Sequence, residues 1–355
     1  MLKDLKCLVY RVSKGLGLFS LARRLTRRKL RILCYHGLSI DDEHLYSPGL
    51  FMRPETVRSR FETLLREEYP VLPLDRACDG LWDGTLPDCA VVITYDDGFY
   101  GNYLHSTSMH REMRLPATIY VTTYYVVKPT PIFRHAVQYM FWKTGRAEVD
   151  LEGIPGAGGG TLRLADRGQA GGVMRGLIRN AERHLDEPRR VEIARSIGER
   201  LGVDYDGLVQ SRRLSLMTPD EIRSLEGFGL DVQLHTHRHR FPDDEGQVVR
   251  EIEDNRSVLE PILGRPCDHL CYPSGVYSPE QWPWLEGRSI KSATTCEGGL
   301  NDARTPRYGL RRFLDGERVR PIEFEAEISG FATLLRACLF ARRERRPAAL
   351  QDHDP

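Results

Sequence analysis

Four short stretches carry residue types able to do chemistry. AVVITYDDG (90–98) runs a buried-looking segment into two adjacent carboxylates, Asp96 and Asp97. LHTHRH (234–239) sets His235, His237 and His239 within five residues. CYHGL (34–38) and CYPSGVY (271–277) end further apolar runs on His36 and on a Pro-Ser-Gly turn. Adjacent carboxylates repel, and burying them is costly unless something positive sits beside them. Two imidazoles and one carboxylate form a common zinc set that leaves a position open for water. His235 and His239 supply the imidazoles, and Asp97 completes the set. A single histidine is ordinarily a packed core or surface residue, and His105, His110, His135 and His184 are read that way.

The elements around these stretches place them. RILCYHG (31–37), AVVITYDD (90–97), PATIYVTT (116–123), LDVQLHTH (230–237), HLCYPSG (269–275), KSATTC (291–296) and YGLRRFL (308–314) read as strands. PETVRSRFETLLREEY (54–69) reads as a helix with Val57, Phe61, Leu64 and Leu65 on one face. TPDEIRSLEGFG (218–229) reads as a helix with Thr218 as its cap and Glu221 completing a capping box. EGQVVREIEDNRSVLEPILG (245–264) is a third helix, closed by Gly264. Apolar strands alternating with helices predict a parallel α/β sheet. All four chemical stretches then lie at strand C-termini, where such folds build active sites. Residues 128–217 break the rhythm with a glycine-rich stretch, EGIPGAGGG, and helical patterns near 173–185 and 191–201. They are expected to form an insertion, or lid, between two strands.

The chain has 355 residues, 41% hydrophobic and 28% charged, with a net charge of +1. The charge is uneven. Residues 1–31 hold ten Lys or Arg against Asp4, a net +9, so the remainder carries 41 basic and 49 acidic residues, a net −8. A body of that sign is not expected to bind nucleic acid. Residues 1–30 form a basic amphipathic arm, with Leu2, Leu5, Val9, Val12, Leu16 and Phe19 at helical spacing. Such an arm can lie on an anionic membrane surface, or it can pack on the body with its charges solvated. Eight scattered cysteines without a CxxC pair read as reduced thiols. With neither a membrane-length apolar run nor a signal-peptide pattern, the expected location is cytoplasmic, peripheral on the inner face of the membrane where the arm binds it. The expected organisation is the arm (1–30), one catalytic domain (31–330) and a C-terminal helix with a polar tail (331–355).

TYDDG, HTHRH and YPSGVY, in that order, resemble the first three motifs of the polysaccharide deacetylase family, the NodB-homology domain of carbohydrate esterase family four. The resemblance covers roughly residues 31–127 and 216–330. It implies a distorted (β/α)7 TIM-like barrel. It makes Asp97, His235 and His239 the ligands of a divalent metal, with Zn2+ the default, and Asp96 the catalytic base. The reaction implied is removal of an acetyl group from an N-acetylated sugar, with the bound metal polarising the acyl oxygen and acidifying water. Tyr272, Ser274, Gly275 and Tyr277 fall on the substrate and oxyanion side, with the Ser274 N–H as the oxyanion donor.

Two departures shape the reading. The late Leu-x-His motif that supplies the general acid in many members is missing. CYHGL matches the early Tyr-His motif of the poly-N-acetylglucosamine deacetylases, so the resemblance makes His36 the acid. The arginine that usually precedes the third motif is replaced by Cys271-Tyr272. Arg312 in GLRRF matches the Leu-x-Arg of that branch, which makes it the candidate partner of Asp96. The expected activity is hydrolysis of the N-acetyl group of an N-acetylhexosamine unit in a polysaccharide or lipid-linked precursor. An O-acetyl esterase or another amide hydrolase would use the same residues. An inactive sugar-binding protein would not need a metal set beside a separate base.

Overall fold

A computed structural model describes residues 2–128 and 130–344. The polar tail expected beyond residue 344 lies outside the described residues. Seven strands form one sheet: β1 (Arg31–Tyr35), β2 (Val91–Tyr95), β3 (Ala117–Val121), β4 (Leu230–Leu234), β5 (His269–Cys271), β6 (Ser292–Thr294) and β7 (Phe313–Leu314). Their order is β6-β5-β4-β3-β2-β1-β7, and every neighbouring pair is parallel. Each of the first six strands therefore lies beside its neighbour in the chain. The last segment spans the gap. Leu310 bridges Thr294 of β6, and Phe313 pairs with Leu33 of β1. The sheet thus curls into the distorted seven-stranded barrel expected of this α/β chain.

The strands are nearly continuous apolar runs because both faces are covered. RILCY, VVITY and ATIYV are buried at every residue. Side chains alternate between the faces. Ile32, Val92, Tyr120, Cys271 and Leu310 form one cluster with Leu74, Ala77, Cys78 and Leu81 of the helix Leu74–Asp83. Leu33, Ile93, Ile119 and Val232 pack in the larger cluster shared with the surrounding helices. Cys34, Thr94 and Asp96 continue the row of Ile32 and Val92, so the strand periodicity aims Asp96 inward.

Between β3 and β4 lie the helices Phe133–Lys143, Arg167–His184, Glu187–Leu201 and Tyr205–Ser211. The glycine-rich stretch connects two antiparallel three-residue strands, Glu148–Asp150 and Thr161–Arg163. Sequence periodicity reached the second and third of these helices. The hairpin was not legible because only one side chain of each of its strands is buried. The helix expected over 218–229 is regular only over Pro219–Ser224. It tightens to a 3-10 turn at Leu225–Phe228, closed by Gly229 at φ 78°.

The arm is two helices, Leu2–Gly15 and Leu18–Leu25. Tyr10 and Phe19 pack with Ala326, Phe331 and Ala332 of the helices Pro321–Ile328 and Phe331–Glu344, and Ala22 is buried. Among the described residues no helix is long and apolar enough to cross a membrane.

Candidate metal centre and active site

At the C-terminal end of the barrel, the loops after β1, β2, β4 and β5 converge. After β2, Asp96 and Asp97 diverge because Asp97 takes a left-handed conformation (φ 70°), followed by Gly98 at φ 86°. Asp97 Oδ1 lies 3.4 Å from His235 Nε2 and 3.2 Å from His239 Nε2. The ligand atoms of these three residues all fall within 4.8 Å of one another. His235 is buried, and its Nδ1–H donates to the Cys271 carbonyl at 2.9 Å, which leaves Nε2 as the free lone pair. His239 sits at the mouth with its side chain 41% exposed. Two imidazole nitrogens and a carboxylate oxygen on one point fit a divalent cation with an open side. Thr236 and His239 also have positive φ, at 62° and 52°. Strained backbone of this kind concentrates where geometry is held for function.

Asp96 lies on the other side of the turn. Arg312 grips it through Nη1 to Oδ1 at 2.7 Å and Nη2 to Oδ2 at 2.8 Å. The remaining guanidinium donors go to the Thr295 carbonyl, the Thr94 hydroxyl and Cys271 Sγ. All five N–H groups are therefore satisfied, and Arg312 is fully buried. Cys34 and Cys271 bring their thiols within 3.5 and 3.4 Å of Asp96 Oδ2. Burial alone would push the Asp96 carboxyl up. The Arg312 charge and its two hydrogen bonds outweigh it and hold Asp96 well below the usual carboxylate range. Burial pushes the Cys34 thiol up, which keeps it a donor.

His36 follows β1, with Nε2 3.8 Å from Asp96 Oδ2 and its side chain 19% exposed. Its Nδ1 is buried without a hydrogen-bond partner. After β5, the Pro-Ser-Gly turn is closed by Gly275 N–H to the Tyr272 carbonyl (3.0 Å) and Val276 N–H to the Pro273 carbonyl (3.2 Å). Ser274 is exposed at the tip, at φ 57°. Gly275 is required twice over: its φ is 67°, and a Cβ there would lie 2.5 Å from that of Cys296.

The family model for polysaccharide deacetylase matches residues 190–286, a span that contains the two candidate histidine ligands and the Pro-Ser-Gly turn. The structure brings Asp97, from outside that span, onto the same point as those histidines, with Asp96 beside it on Arg312. Over that span the chain is similar to the polysaccharide deacetylase family. Solved structures share the fold of this chain at low identity. A Streptococcus pyogenes deacetylase, PplD, in complex with acetate aligns with a TM-score of 0.55 and 16% identity, over 85% of this chain and 99% of that one. IcaB from Ammonifex degensii aligns with a TM-score of 0.53 and 16% identity, over 85% and 97%. A de-N-acetylase from Aggregatibacter actinomycetemcomitans gives 0.53 and 14%, over 84% and 98%. No curated protein matches the chain closely in sequence.

Not every candidate residue reaches the site's surface. Tyr272, read above on the substrate side, is fully buried, and its hydroxyl donates to the Tyr308 carbonyl at 3.0 Å. It belongs to the wall because the residue after β5 still points into packed core. Tyr277 lies outside it, stacked on the Tyr272 ring at 4.7 Å, with its hydroxyl on Glu297. His237, the middle histidine, turns away to Thr123 Oγ1 at 2.8 Å.

Sequence reasoning missed Asn255. It is fully buried, and its Oδ1 accepts the His235 backbone N–H while its Nδ2 donates to the Val121 carbonyl and Thr123 Oγ1. A signal was present: Val248, Ile252, Asn255 and Leu259 share one buried helical stripe, with a lone amide among aliphatics.

Proposed function

We infer that this protein is a polysaccharide deacetylase that hydrolyses the N-acetyl group of an N-acetylhexosamine unit in a glycan. The observation that carries the reading is the division of labour between neighbouring aspartates. Asp97 converges with His235 and His239, while Asp96 is held apart, ionised, by Arg312. Asp97, His235 and His239 would hold a divalent metal, for which zinc suits the ligand types, and it would supply Lewis-acid polarisation of the acyl oxygen and of water.

The chain's own residues do the rest. Asp96 accepts the proton of the attacking water. Its Oδ1 keeps an acceptor site beyond its bond to Arg312, whereas Oδ2 also takes the Cys34 and Cys271 thiols. The exposed tip of the Pro-Ser-Gly turn offers the Ser274 N–H to the developing oxyanion. His36, partly exposed beside Asp96, protonates the departing amine. A carboxylate as weakly basic as Asp96 needs an acidified water, which is consistent with its place next to the ligand trio. The early Tyr-His placement and the de-N-acetylase with the same fold favour an N-acetyl over an O-acetyl substrate. Acetate release from a panel of N-acetylated and O-acetylated oligosaccharides and lipid-linked sugars, with and without chelator, tests the reading. Acetate released only from O-acetylated sugars would overturn it.

A further inference from the structure

The first arm helix carries its apolar row on the side facing away from the protein. Leu5, Leu8, Val9, Val12 and Leu16 share one helical face, which in a globular domain turns to the core. Here all five are exposed, from 45% at Val9 to 71% at Leu16. The face that docks is Cys7, Tyr10 and Ser13. Beside it, Lys6 pairs with Glu323 at 3.1 Å, Lys14 pairs with Glu325, and Arg320 pairs with Asp4 at 2.7 Å. The second helix repeats the arrangement, with Phe19 and Ala22 buried and Leu18, Leu21 and Leu25 exposed. Half of the sixteen exposed large hydrophobics among the described residues lie within residues 5–25. Concentration on that scale marks an interaction surface.

Charge selects the occupant. Arg11, Arg24 and Arg28 are exposed on the same two-helix arm and its exit, with no acidic partner among the described residues. Asp4 is the single acid of residues 1–30, and it pairs with Arg320. A two-fold contact between copies would set this cationic surface against itself with no acid to answer it. An anionic bilayer offers both hydrocarbon and negative headgroups. We propose that the two arm helices lie in the headgroup region of an anionic membrane and hold the barrel at its surface. The proposal is independent of the deacetylase reading.

The test is flotation of the full chain with vesicles of phosphatidylcholine alone and with about one third phosphatidylglycerol. Leu8→Glu/Val12→Glu and Arg11→Glu/Arg24→Glu/Arg28→Glu are the variants; all five side chains are exposed, so the fold should survive, which circular dichroism checks. The expected result is binding to anionic vesicles, reduced at least about tenfold in either variant. Acetate release from a soluble oligosaccharide should be unchanged. Failure of the wild type to bind, or equal binding by Leu8→Glu/Val12→Glu, overturns the proposal. So does a lipid-free dimer that Leu8→Glu/Val12→Glu converts to monomer, because a second copy would then cover the face.

Discussion

Arg312 and Asp96 meet through two parallel hydrogen bonds of 2.7 and 2.8 Å, with neither side chain open to solvent. The usual arginine ahead of the third motif is absent, and this chain supplies the same charge from the loop before its last strand. The fork also reaches Cys271 Sγ and Thr94 Oγ1, so it ties together residues near the ends of β2, β5 and β7.

Replacing Arg312 with Met leaves a buried carboxylate without its cation. Breaking one half of such a pair costs about 3–5 kcal/mol, readable as a lowered urea midpoint. Arg312→Lys keeps a charge but not the fork, and should recover part of the stability and less of the activity. The pH sign follows from the depressed Asp96 pKa. In the wild type Asp96 stays ionised well into acid, and the stability this adds is lost only as pH falls through that low value. In Arg312→Lys the acid limb of kcat/KM should move to higher pH. An unmoved limb would mean that Arg312 does not set the ionisation of Asp96.

His239 is the cleaner candidate ligand to remove, because it is exposed where His235 is buried. His239→Ala should keep its fold, lose tenfold or more in metal affinity on the order expected for one ligand, and lose activity in parallel. Elemental analysis of the purified variant checks this. Full metal occupancy with no activity would place His239 in another role.

His36→Ala separates leaving-group protonation from the rest of the reaction. An amide needs a protonated nitrogen to depart, and an activated ester does not. The variant should lose about a hundredfold or more on an N-acetyl substrate and far less on an activated acetate ester. Equal losses on both would remove His36 from the role of acid.

His110 is buried, bonded through Nδ1 to the Leu115 carbonyl (2.7 Å) and through Nε2 to the Tyr95 hydroxyl (2.9 Å). Burial pushes it down from the ordinary histidine value of 6.5 to about 4, with the Leu115 bond opposing. The unfolded chain therefore takes up a proton first as pH falls. The stability from the neutral ring is full above 6.5 and declines toward pH 4, by roughly 3 kcal/mol. Urea titrations at pH 7.5 and 4.5 should show this loss, and His110→Gln should flatten it. An identical slope in the variant would assign the acid sensitivity elsewhere.

Much of the fold was legible because strand alternation and strand-end chemistry are local properties. The runs ending at Tyr35, Tyr95 and Leu234 announced a parallel sheet with polar residues at one end, and the capping box at Thr218 marked a helix start. The insertion hairpin was hidden, because its pairing is decided by two buried side chains, Val149 and Leu162.

The sequence by itself determined which residues could share a metal, since motif spacing and residue type suffice to nominate Asp97, His235 and His239. Only the tertiary structure decided what Arg312, Tyr272 and the arm do. Arg312 lies 216 residues from Asp96, and no local pattern distinguishes a buried guanidinium from a surface one. Tyr272 and Tyr277 look alike in sequence, yet one is packed in the wall and the other lies outside it. The arm's amphipathic pattern established a helix with two faces. The docked face is the one whose Tyr10 packs with Phe19 and Phe331, with Lys6 and Lys14 pairing with Glu323 and Glu325 beside it and the leucines outward.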